Sequence, residues 1–490
     1  MTVSEIVSVI CKLILPRYIL RYYGSAYNGI SSSAAQFLSI ITILNLGITA
    51  STRVALYSSI AKDDMEETSS ILRANEKHMR KVGSLLLVYL LALTFVYPLV
   101  VKTDFPYFDV ALLVFAGGIT TFAELFFGVT YQTFLSASQR AYITQLFSIA
   151  ATIVSTALSV FLIKAGYSIQ VVKLAAASVY FIKQPIFNWI IPRKYGIDRK
   201  APPHPEALSR RRDATAHSVA NIVHNKTDII VLTLFCDVKL VSVYTIYHMI
   251  MNMLDRTKQI LTTGTEPVFG NMWAKGETDK IRKALSGFEF VMTAFISVVI
   301  PTTLVLLLPF VSLYTKVVHD IQYMQPVYAV VITAAFAFSP LRAPNVTLTR
   351  GAGFYKETKR GAYMEAGINI VLSVVLVQFF GIVGVAVGTL AANMFRTIQY
   401  MLFVDRKIVP RGMKVPLLKM LWAFMNIAIM TLLLNPLAEQ YAKAGWKAWV
   451  LCGFASVLIT SAFTLLSSLL FYRSDLKDAW GVLQNMIKKR

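Results

Sequence analysis

The chain alternates between long apolar stretches and short segments that contain charged residues, proline or glycine. A helix needs ~20 mostly apolar residues to cross the ~30 Å hydrocarbon layer of a membrane. Fourteen stretches have this character, at residues 3–22, 28–58, 82–101, 107–136, 142–163, 169–192, 214–236, 240–271, 285–313, 323–349, 361–380, 382–404, 415–436 and 446–472. The pattern predicts an all-α polytopic membrane protein with about 14 transmembrane helices. Thirteen is the alternative count, because the first stretch is short and carries three cations.

Composition and charge support the same class of protein. Hydrophobic residues make up 56% of the chain, whereas soluble domains average ~45–50%. With the N-terminus inside, inside segments hold about 30 of the 48 Lys and Arg residues and outside segments about seven, in line with the positive-inside rule. Topology and attraction to anionic lipid head groups then explain the net charge of +22, and no nucleic acid is required. We expect both termini in the cytoplasm.

A basic, proline-containing segment at residues 193–213 has the composition of a linker and separates six predicted helices from eight. The predicted organisation is an N-terminal lobe at 1–192 (helices 1–6), a basic cytoplasmic linker at 193–213, a C-terminal lobe at 214–404 (helices 7–12), and helices 13–14 with a cytoplasmic tail at 405–490.

An internal repeat relates the two predicted lobes. A shift of 213 positions places SSIAKDDMEE at Ser58–Glu67 over NMWAKGETDK at Asn271–Lys280. A shift of 211 places VYPLVV at the end of the third stretch over LLPFVS at the end of the ninth. Each match is weak, but both fall at the same place in the order of helices. Six helices per copy keep both copies in one orientation, so we expect two pseudo-symmetric six-helix lobes and two extra C-terminal helices.

Polar side chains recur at spacings of three and four in the eighth stretch, and such a stripe cannot face lipid. Its members are Thr245, His248, Asn252, Asp255, Gln259, Thr262 and Glu266. A similar face in the seventh stretch consists of His217, Asn221, His224 and Asp228, with Asn225 and Lys226 beside it. Both faces are expected to contact a partner helix or to line a hydrated cavity.

Seven cations lie inside apolar stretches: Arg17, Arg53, Lys226, Arg256, Lys258, Arg342 and Arg396. Each costs ~2.5–3.5 kcal/mol at the centre of a lipid-facing helix, so a function is expected for them. One hypothesis is a basic, hydrated cavity between the lobes that binds an anionic ligand. The alternative is internal ion pairing, such as Arg256 with Asp255 or Lys226 with Asp228, together with snorkelling. Arg396 is expected to be an interfacial anchor.

Arg53 and Glu266 occupy matched positions under the 213-residue shift. They are therefore predicted to form a salt bridge that closes the cavity in one state of an alternating-access cycle. The alternative is that Glu266 neutralises Lys258.

The sequence carries no signature of catalysis. Phosphate-loop, dinucleotide-binding and HExxH patterns are absent from it, and we assign no catalytic or metal-ligating residue. A membrane-embedded glycan polymerase or ligase would need a sizeable external loop, and the predicted external loops are short. A transporter without an organic cofactor is expected, with a proton, sodium or the membrane potential as the candidate energy source.

Several stretches have an order and spacing typical of one family. They read LILPRYILRYYGSAYNGISSSAAQFLSIITILNLGI from Leu13, HNKTDIIVLTLF from His224, LPFVSLYTK from Leu308, and GFYKETKRGAYMEAGINIVLSVVLV with GIVGVAVGTLAANMFRT between Gly353 and Thr397. Over most of its length the chain resembles the polysaccharide transporter (Wzx-type O-antigen and capsule repeat-unit flippase) family of the multidrug/oligosaccharidyl-lipid/polysaccharide exporter superfamily.

The resemblance implies a central cationic cavity and movement of an undecaprenyl-pyrophosphate-linked oligosaccharide from the cytoplasmic to the outer leaflet of the bacterial plasma membrane. The product would serve O-antigen, lipopolysaccharide, capsule or exopolysaccharide synthesis. We expect a monomer that contacts anionic lipids, with polysaccharide polymerase machinery as a candidate partner. A multidrug/cation antiporter of the same fold and a lipid II flippase are the alternatives. The antiporter is disfavoured because cations outnumber the acids Asp228, Asp255 and Glu266 in the stretches.

The expected substrate-binding residues are Arg17, Arg53, Arg256, Lys258, Lys226 and Arg342. The expected lining or gate residues are Asn221, His224, Asn225, Asp228, His248, Asn252, Asp255, Gln259 and Glu266.

Overall fold

The computed structural model describes residues 3–40, 43–204, 226–441 and 444–476, and these ranges contain helices and no β-strand. In chain order the helices are α1 (Val3–Tyr23), α2 (Ser25–Ile40), α3 (Ile43–Ala61), α4 (Met65–Val100), α5 (Tyr107–Ala123), α6 (Val129–Ala137), α7 (Ala141–Lys164), α8 (Ile169–Tyr195), α9 (226–235), α10 (Val238–Thr262), α11 (Thr265–Ala274), α12 (Thr278–Tyr314), α13 (Pro326–Gly351), α14 (Tyr355–Phe380), α15 (Ile382–Lys407), α16 (Lys414–Tyr441) and α17 (Trp446–Phe471). A π-helical turn, Glu124–Gly128, joins α5 to α6.

Within the described ranges, nine helices are long and apolar enough to cross a membrane. They are α4, the rod made of α5, the π-turn and α6, then α7, α12, α13, α14, α15, most of α16, and α17. These nine coincide with nine of the predicted spans, and the prediction of an all-α polytopic membrane protein is confirmed. The other predicted spans fall on α1, α2 with α3, α8, α9 and α10, whose described parts are shorter or more polar.

The chain forms two compact units, Met1–Val243 and Tyr244–Arg490. In the first unit, α4 packs on α5, α5 and α7 pack on α8, and α1 packs on α7. Its core includes Leu56, Ile71, Phe134 and Phe187, contributed by α3, α4, α6 and α8. Burial of these apolar side chains gives the unit a core that does not depend on lipid contact.

The helix α9 and the start of α10 belong to the first unit through polar contacts with α2. The hydroxyls of Ser33 and Thr233 are 2.6 Å apart, and the Asn28 amide donates to Ser242 Oγ at 2.7 Å. These side chains are buried. Hydrogen bonds of this kind satisfy polar groups that lipid could not.

In the second unit α12 is the central helix, because α13, α16 and α17 all pack on it. Its core on one side includes Phe269, Ile281, Leu348 and Val404. The indole N–H of Trp449 donates to the Leu306 carbonyl at 3.1 Å and fastens α17 to α12. The two C-terminal helices are thus supported by the same helix.

The predicted repeat is present in the helix boundaries, which supports the pseudo-symmetric lobes. The ends of α3 and α11 are 213 positions apart, as are the starts of α4 and α12. Between them, Asp63 and Gly276 have φ of 55° and 69° and lie 213 positions apart. The two copies therefore make the same turn at the same register.

The eighth predicted span, 240–271, is not one helix. It is divided into α10 and α11 at Gly264, which has φ of 85°. Pro267 stands at the third residue of α11, and its ring would clash with the carbonyl four residues earlier in a continuous helix. The expectation of a single polar face running to Glu266 is therefore wrong, since Glu266 lies beyond the break.

The helix that contains the third predicted span, 82–101, begins well before that span. The helix α4 starts at Met65 and has 36 residues, about 54 Å at 1.5 Å per residue. The Asp64 side chain caps it by accepting a hydrogen bond from the Glu67 N–H at 2.8 Å. The polar first part was missed because a hydropathy criterion detects only the lipid-crossing part.

Candidate functional site

A charged cluster in the second unit is centred on Glu365 of α14. Arg342 of α13 donates to Glu365 Oε1 at 2.5 Å, and Arg396 Nε of α15 lies 3.3 Å from Oε2. The side chains of Glu365 and Arg396 are only 12% and 3% exposed. One largely buried carboxylate therefore joins three neighbouring helices.

Arg396 is held by further contacts. Its guanidinium donates to the Thr358 carbonyl at 3.1 Å and to the Tyr400 hydroxyl at 2.9 Å, and lies 4.2 Å from the centre of the Tyr400 ring. A Cβ atom at Gly361 would lie 2.2 Å from the guanidinium, so this close approach needs glycine. The expectation that Arg396 is an interfacial anchor is wrong, because α14 supplies a carboxylate that lets it be buried.

Lys258 and Asp255 form an ion pair one turn apart on α10. Lys258 also donates to Ser339 Oγ of α13 at 2.8 Å, and the Gln259 amide donates to Asp255 Oδ2 at 2.8 Å. The expected pairing of Asp255 with Arg256 is replaced by pairing with Lys258. Two consecutive positions of the predicted stripe, Asp255 and Gln259, therefore bond each other within α10, while Lys258 beside them contacts α13.

The positive charges of Lys258 and Arg342 repel each other, so the two groups of charges are neighbours in the second unit. The combined cluster contains three cations, Lys258, Arg342 and Arg396, and two carboxylates, Asp255 and Glu365. Its formal charge is positive. An arrangement of this kind attracts an anion rather than a cation.

Glu266 accepts a hydrogen bond from the Tyr355 hydroxyl at 3.1 Å. Its proposed neutralisation of Lys258 is not seen among the described contacts, since Lys258 pairs with Asp255. Arg53 belongs to the first unit and Glu266 to the second, and their salt bridge stays a prediction.

Arg53 lines a cavity of about 530 Å³ in the first unit. The walls come from α3, α5, the π-turn, α6 and α7. Glu124 of the π-turn also lines this cavity, and no ion pair within 4 Å joins it to Arg53 in the described chain. A carboxylate and a guanidinium are thus both available to a bound molecule.

The remaining predicted residues are distributed over both units. Arg17 and Asn252 are exposed, Lys226 and Arg256 are half-buried, and Asp228 is buried. The His248 ring stacks on the Tyr244 ring with centroids 3.9 Å apart. Asn221, His224 and Asn225 lie outside the described residues, as does His217 of the same predicted face.

Two further buried ion pairs support the second unit. Arg411 pairs with Glu289, which also accepts from the Asn345 amide at 3.3 Å. Lys419 Nζ lies 2.7 Å from Asp475 Oδ1. These pairs join α12 to the segment after α15, and α16 to the segment after α17.

The arrangement of helices can be compared with solved structures. The chain is similar to the lipid II flippase MurJ in an inward closed conformation, with a TM-score of 0.66 and 15% identity over 96% of this chain and 99% of MurJ. The fold is MurJ-like. No family model and no curated protein matches the sequence.

Two structures described as MOP superfamily transporters are also similar to the chain. An inward-facing multidrug resistance MATE family transporter of the MOP superfamily has a TM-score of 0.53 and 13% identity, over 88% of this chain and 96% of its own. A MOP superfamily transporter from Pyrococcus furiosus, described by the reverse polarity of its binding pocket, has a TM-score of 0.50 and 14% identity, over 87% and 95%.

Within this MurJ-like fold, sequence reasoning found the cations but missed the partners that hold them. Glu365, Ser339, Glu289 and Glu124 were not singled out. For Glu365 a signal exists, because it is a carboxylate in an apolar stretch between Tyr363 and Phe379. Such a residue is expected to face protein or water rather than lipid.

Proposed function

We propose that the chain is a flippase of the bacterial plasma membrane that moves an undecaprenyl-pyrophosphate-linked oligosaccharide from the cytoplasmic to the outer leaflet by alternating access. The MurJ-like fold over 96% of the chain supports membrane transport. A similar fold occurs in a MATE transporter, so the fold does not identify the substrate. We infer the substrate class from the charged residues of this chain.

We infer an anionic substrate from the positively charged side chains that have no carboxylate partner. In the part of the chain that the structure describes, neither Arg53 nor Arg256 has a carboxylate within 4 Å. Lys258 and Arg342 are already engaged by Asp255 and Glu365. Arg53 and Arg256 are therefore the side chains available to bind a pyrophosphate, which a guanidinium can do bidentately.

The two cations that already form ion pairs have a different role in the proposal. Lys258 and Arg342 raise the local positive potential while their ion pairs fix their positions. Arg17 and Lys226 are the further candidates for contact with the anionic group. A multidrug/cation antiporter is less well supported, because a cation would meet a cluster with more positive than negative charges.

The lipid that copurifies with the protein tests the proposal. Mass spectrometry of lipid extracted from the wild-type protein should detect a polyprenyl pyrophosphate that carries a glycan. Loss of one charge-assisted contact, worth ~1.5–3 kcal/mol, should lower the bound amount about tenfold or more in Arg53→Ala and in Arg256→Ala. Lys at either position should restore only part of the binding.

Arg80→Ala is the matched control, because Arg80 is exposed and already paired with Glu76 at 2.7 Å. It should retain the wild-type amount of lipid. Recovery of lipid II alone would favour the lipid II flippase alternative. Absence of any pyrophosphate lipid, or equal amounts in all variants, would overturn the proposal of an anionic lipid-linked substrate.

A further inference from the structure

Three cations lie at one edge of the first unit, where α7 begins and α8 ends. Arg140 comes directly before α7, and Arg193 and Lys194 are in the last turn of α8. All three are exposed. Since α7 packs on α8 and the predicted topology places these helix ends on the cytoplasmic side, the cations lie where the head groups of the cytoplasmic leaflet are expected.

Two left-handed turns fix the backbone that carries these cations. Gln139 has φ of 58°, and the Arg140 N–H donates to the Leu135 carbonyl at 2.7 Å. The helix α8 ends at Gly196, which has φ of 66°, and Ile197 after it is buried in the core of the unit. Both closures are typical of helix ends. The positions of the three cations are therefore set by the fold of the unit.

The aromatic ring of Tyr195 brings two of the cations together. The Arg140 guanidinium lies 4.7 Å from the centre of this ring, and Lys194 Nζ lies 5.8 Å from it. The guanidinium of the third cation, Arg193, lies 4.3 Å from the centre of the Trp189 ring. The face of an aromatic ring attracts a cation, so each ring helps to hold its cations at the surface.

These cations have no acidic partner in the residues that the structure describes. Neither Arg140, Arg193 nor Lys194 has a carboxylate within 4 Å there. Asp198, the nearest acid along the chain, accepts a backbone N–H at 2.8 Å. Arg140 and Lys194 are no farther apart than the sum of their distances to the Tyr195 ring, and like charges so close repel each other. A bound anion would remove that repulsion.

The start of α7 adds partial positive charge at the same place. Arg140 is the N-cap residue of this 24-residue helix, and no side-chain hydrogen bond caps it. The N-terminus of a helix carries roughly half a positive elementary charge. Together with the three cations, it favours an anionic group such as a phosphate.

The neighbouring surface is apolar. Ile182, Ile186 and Trp189 of α8 are exposed, and with Arg193 they recur at spacings of four, three and four, which places them on one face of the helix. Leu146 of α7 is exposed as well. In a predicted span such a face contacts acyl chains, and tryptophan is typical of the membrane–water interface. The occupant therefore has an apolar part beside its anionic group, as a lipid does and free phosphate does not.

We propose that Arg140, Arg193 and Lys194 bind the phosphate of an anionic phospholipid in the cytoplasmic leaflet, with its acyl chains along Ile186 and Trp189. The site is separate from the residues assigned to the transported substrate, and it does not rest on the proposed function. The bound head group neutralises the repulsion between Arg140 and Lys194 and so stabilises the packing of α7 on α8.

Native mass spectrometry of the full-length protein in detergent tests the site. It measures the dissociation constant of the tightest-bound phosphatidylglycerol, and zwitterionic phosphatidylcholine is the comparison. The wild-type protein should bind phosphatidylglycerol more tightly. One cation near a head group is worth ~1 kcal/mol, so Arg140→Gln and Lys194→Gln should each weaken phosphatidylglycerol binding about fivefold and leave phosphatidylcholine unchanged. Arg140→Lys and Lys194→Arg keep the charge and should retain most of the binding.

Lys359→Gln is the matched control. Lys359 Nζ lies 5.9 Å from the centre of the Tyr363 ring on α14, and within the described chain this ring receives one cation rather than two. The control should bind both lipids as the wild-type protein does.

Three results would overturn the lipid site and leave the proposed function untouched. The first is equal affinity of the wild-type protein for the two lipids. The second is an unchanged dissociation constant of phosphatidylglycerol in Arg140→Gln and Lys194→Gln. The third is displacement of phosphatidylglycerol by millimolar inorganic phosphate or by undecaprenyl pyrophosphate, which would assign the three cations to free phosphate or to the transported lipid.

Discussion

Glu365 neutralises the charges of two other residues. Its two oxygens contact arginines from different helices, Arg342 and Arg396. Removing one partner of a buried ion pair is more unfavourable than the pair is favourable, because the remaining charge stays buried and unpaired. Here the loss of one carboxylate would leave two such charges.

We expect Glu365→Gln to lower the free energy of unfolding by about 3–5 kcal/mol, the range measured for broken buried pairs. Denaturation of the purified protein in detergent measures this change. Glu277→Gln is the control, because Glu277 pairs with the exposed Lys280 at 2.8 Å at the start of α12. A similar loss in both variants would contradict the importance of burial at Glu365.

At the residue scale, the sequence predicts which cations are unusual but not what holds them. Arg342 and Arg396 stand out because each is a charge in an apolar stretch. Their shared partner lies on a third helix, 23 positions after Arg342. Pairing across α13, α14 and α15 depends on how these helices pack, which the spacing along one helix does not report.

At the element scale, the break between α10 and α11 shows where hydropathy misleads. The stretch from 240 to 271 is apolar enough on average to predict a single span. Gly264 and Pro267 are the local signals that end one helix and begin another. The long apolar helices were predictable because each is much longer than a loop. The turn at Gly264 is short, so it hardly changes the mean hydropathy of the stretch.

Replacing Gly264 with Ala tests the conformational role of the break. Nothing lies within 4 Å of an added Cβ atom, but φ is 85°, so we expect a loss of about 1–2 kcal/mol in stability from the backbone alone. Gly367→Ala is the matched control, with the same open surroundings inside helix α14.

The control should be stabilised by roughly 0.5–1 kcal/mol, because alanine is the better helix former. Thermal unfolding of both variants in the same detergent gives the comparison. Equal behaviour of the two would show that the turn at Gly264 is not strained by a side chain.

At the scale of the whole molecule, the distribution of charge predicts the orientation in the membrane. Cysteines are placed singly at Asp104, between α4 and α5, and at Lys200, after α8, in a variant without the native cysteines. A membrane-impermeant maleimide added outside intact cells should label position 104 and spare position 200. The opposite labelling would reverse the orientation and the direction of the proposed transport.

The long apolar helices and the repeat were predictable at this scale, because each depends on patterns that extend over many residues. The division of the chain into Met1–Val243 and Tyr244–Arg490 depends on contacts such as that between Ser33 and Thr233, 200 positions apart. No periodicity in the sequence reports that contact.

The matched turns of the two copies also bear on which segments tolerate added sequence. The turns before α4 and α12 both have three residues, as do those before α7 and α14. The connections before α5 and α13 differ, with six residues at 101–106 and eleven at 315–325. The two copies therefore agree in these three-residue turns and differ in the length of the connection before α5 and α13. The exposed pair Lys316 and Val317 in the longer connection is thus the natural place for an epitope or a fused reporter domain, whereas the three-residue turns would reject one.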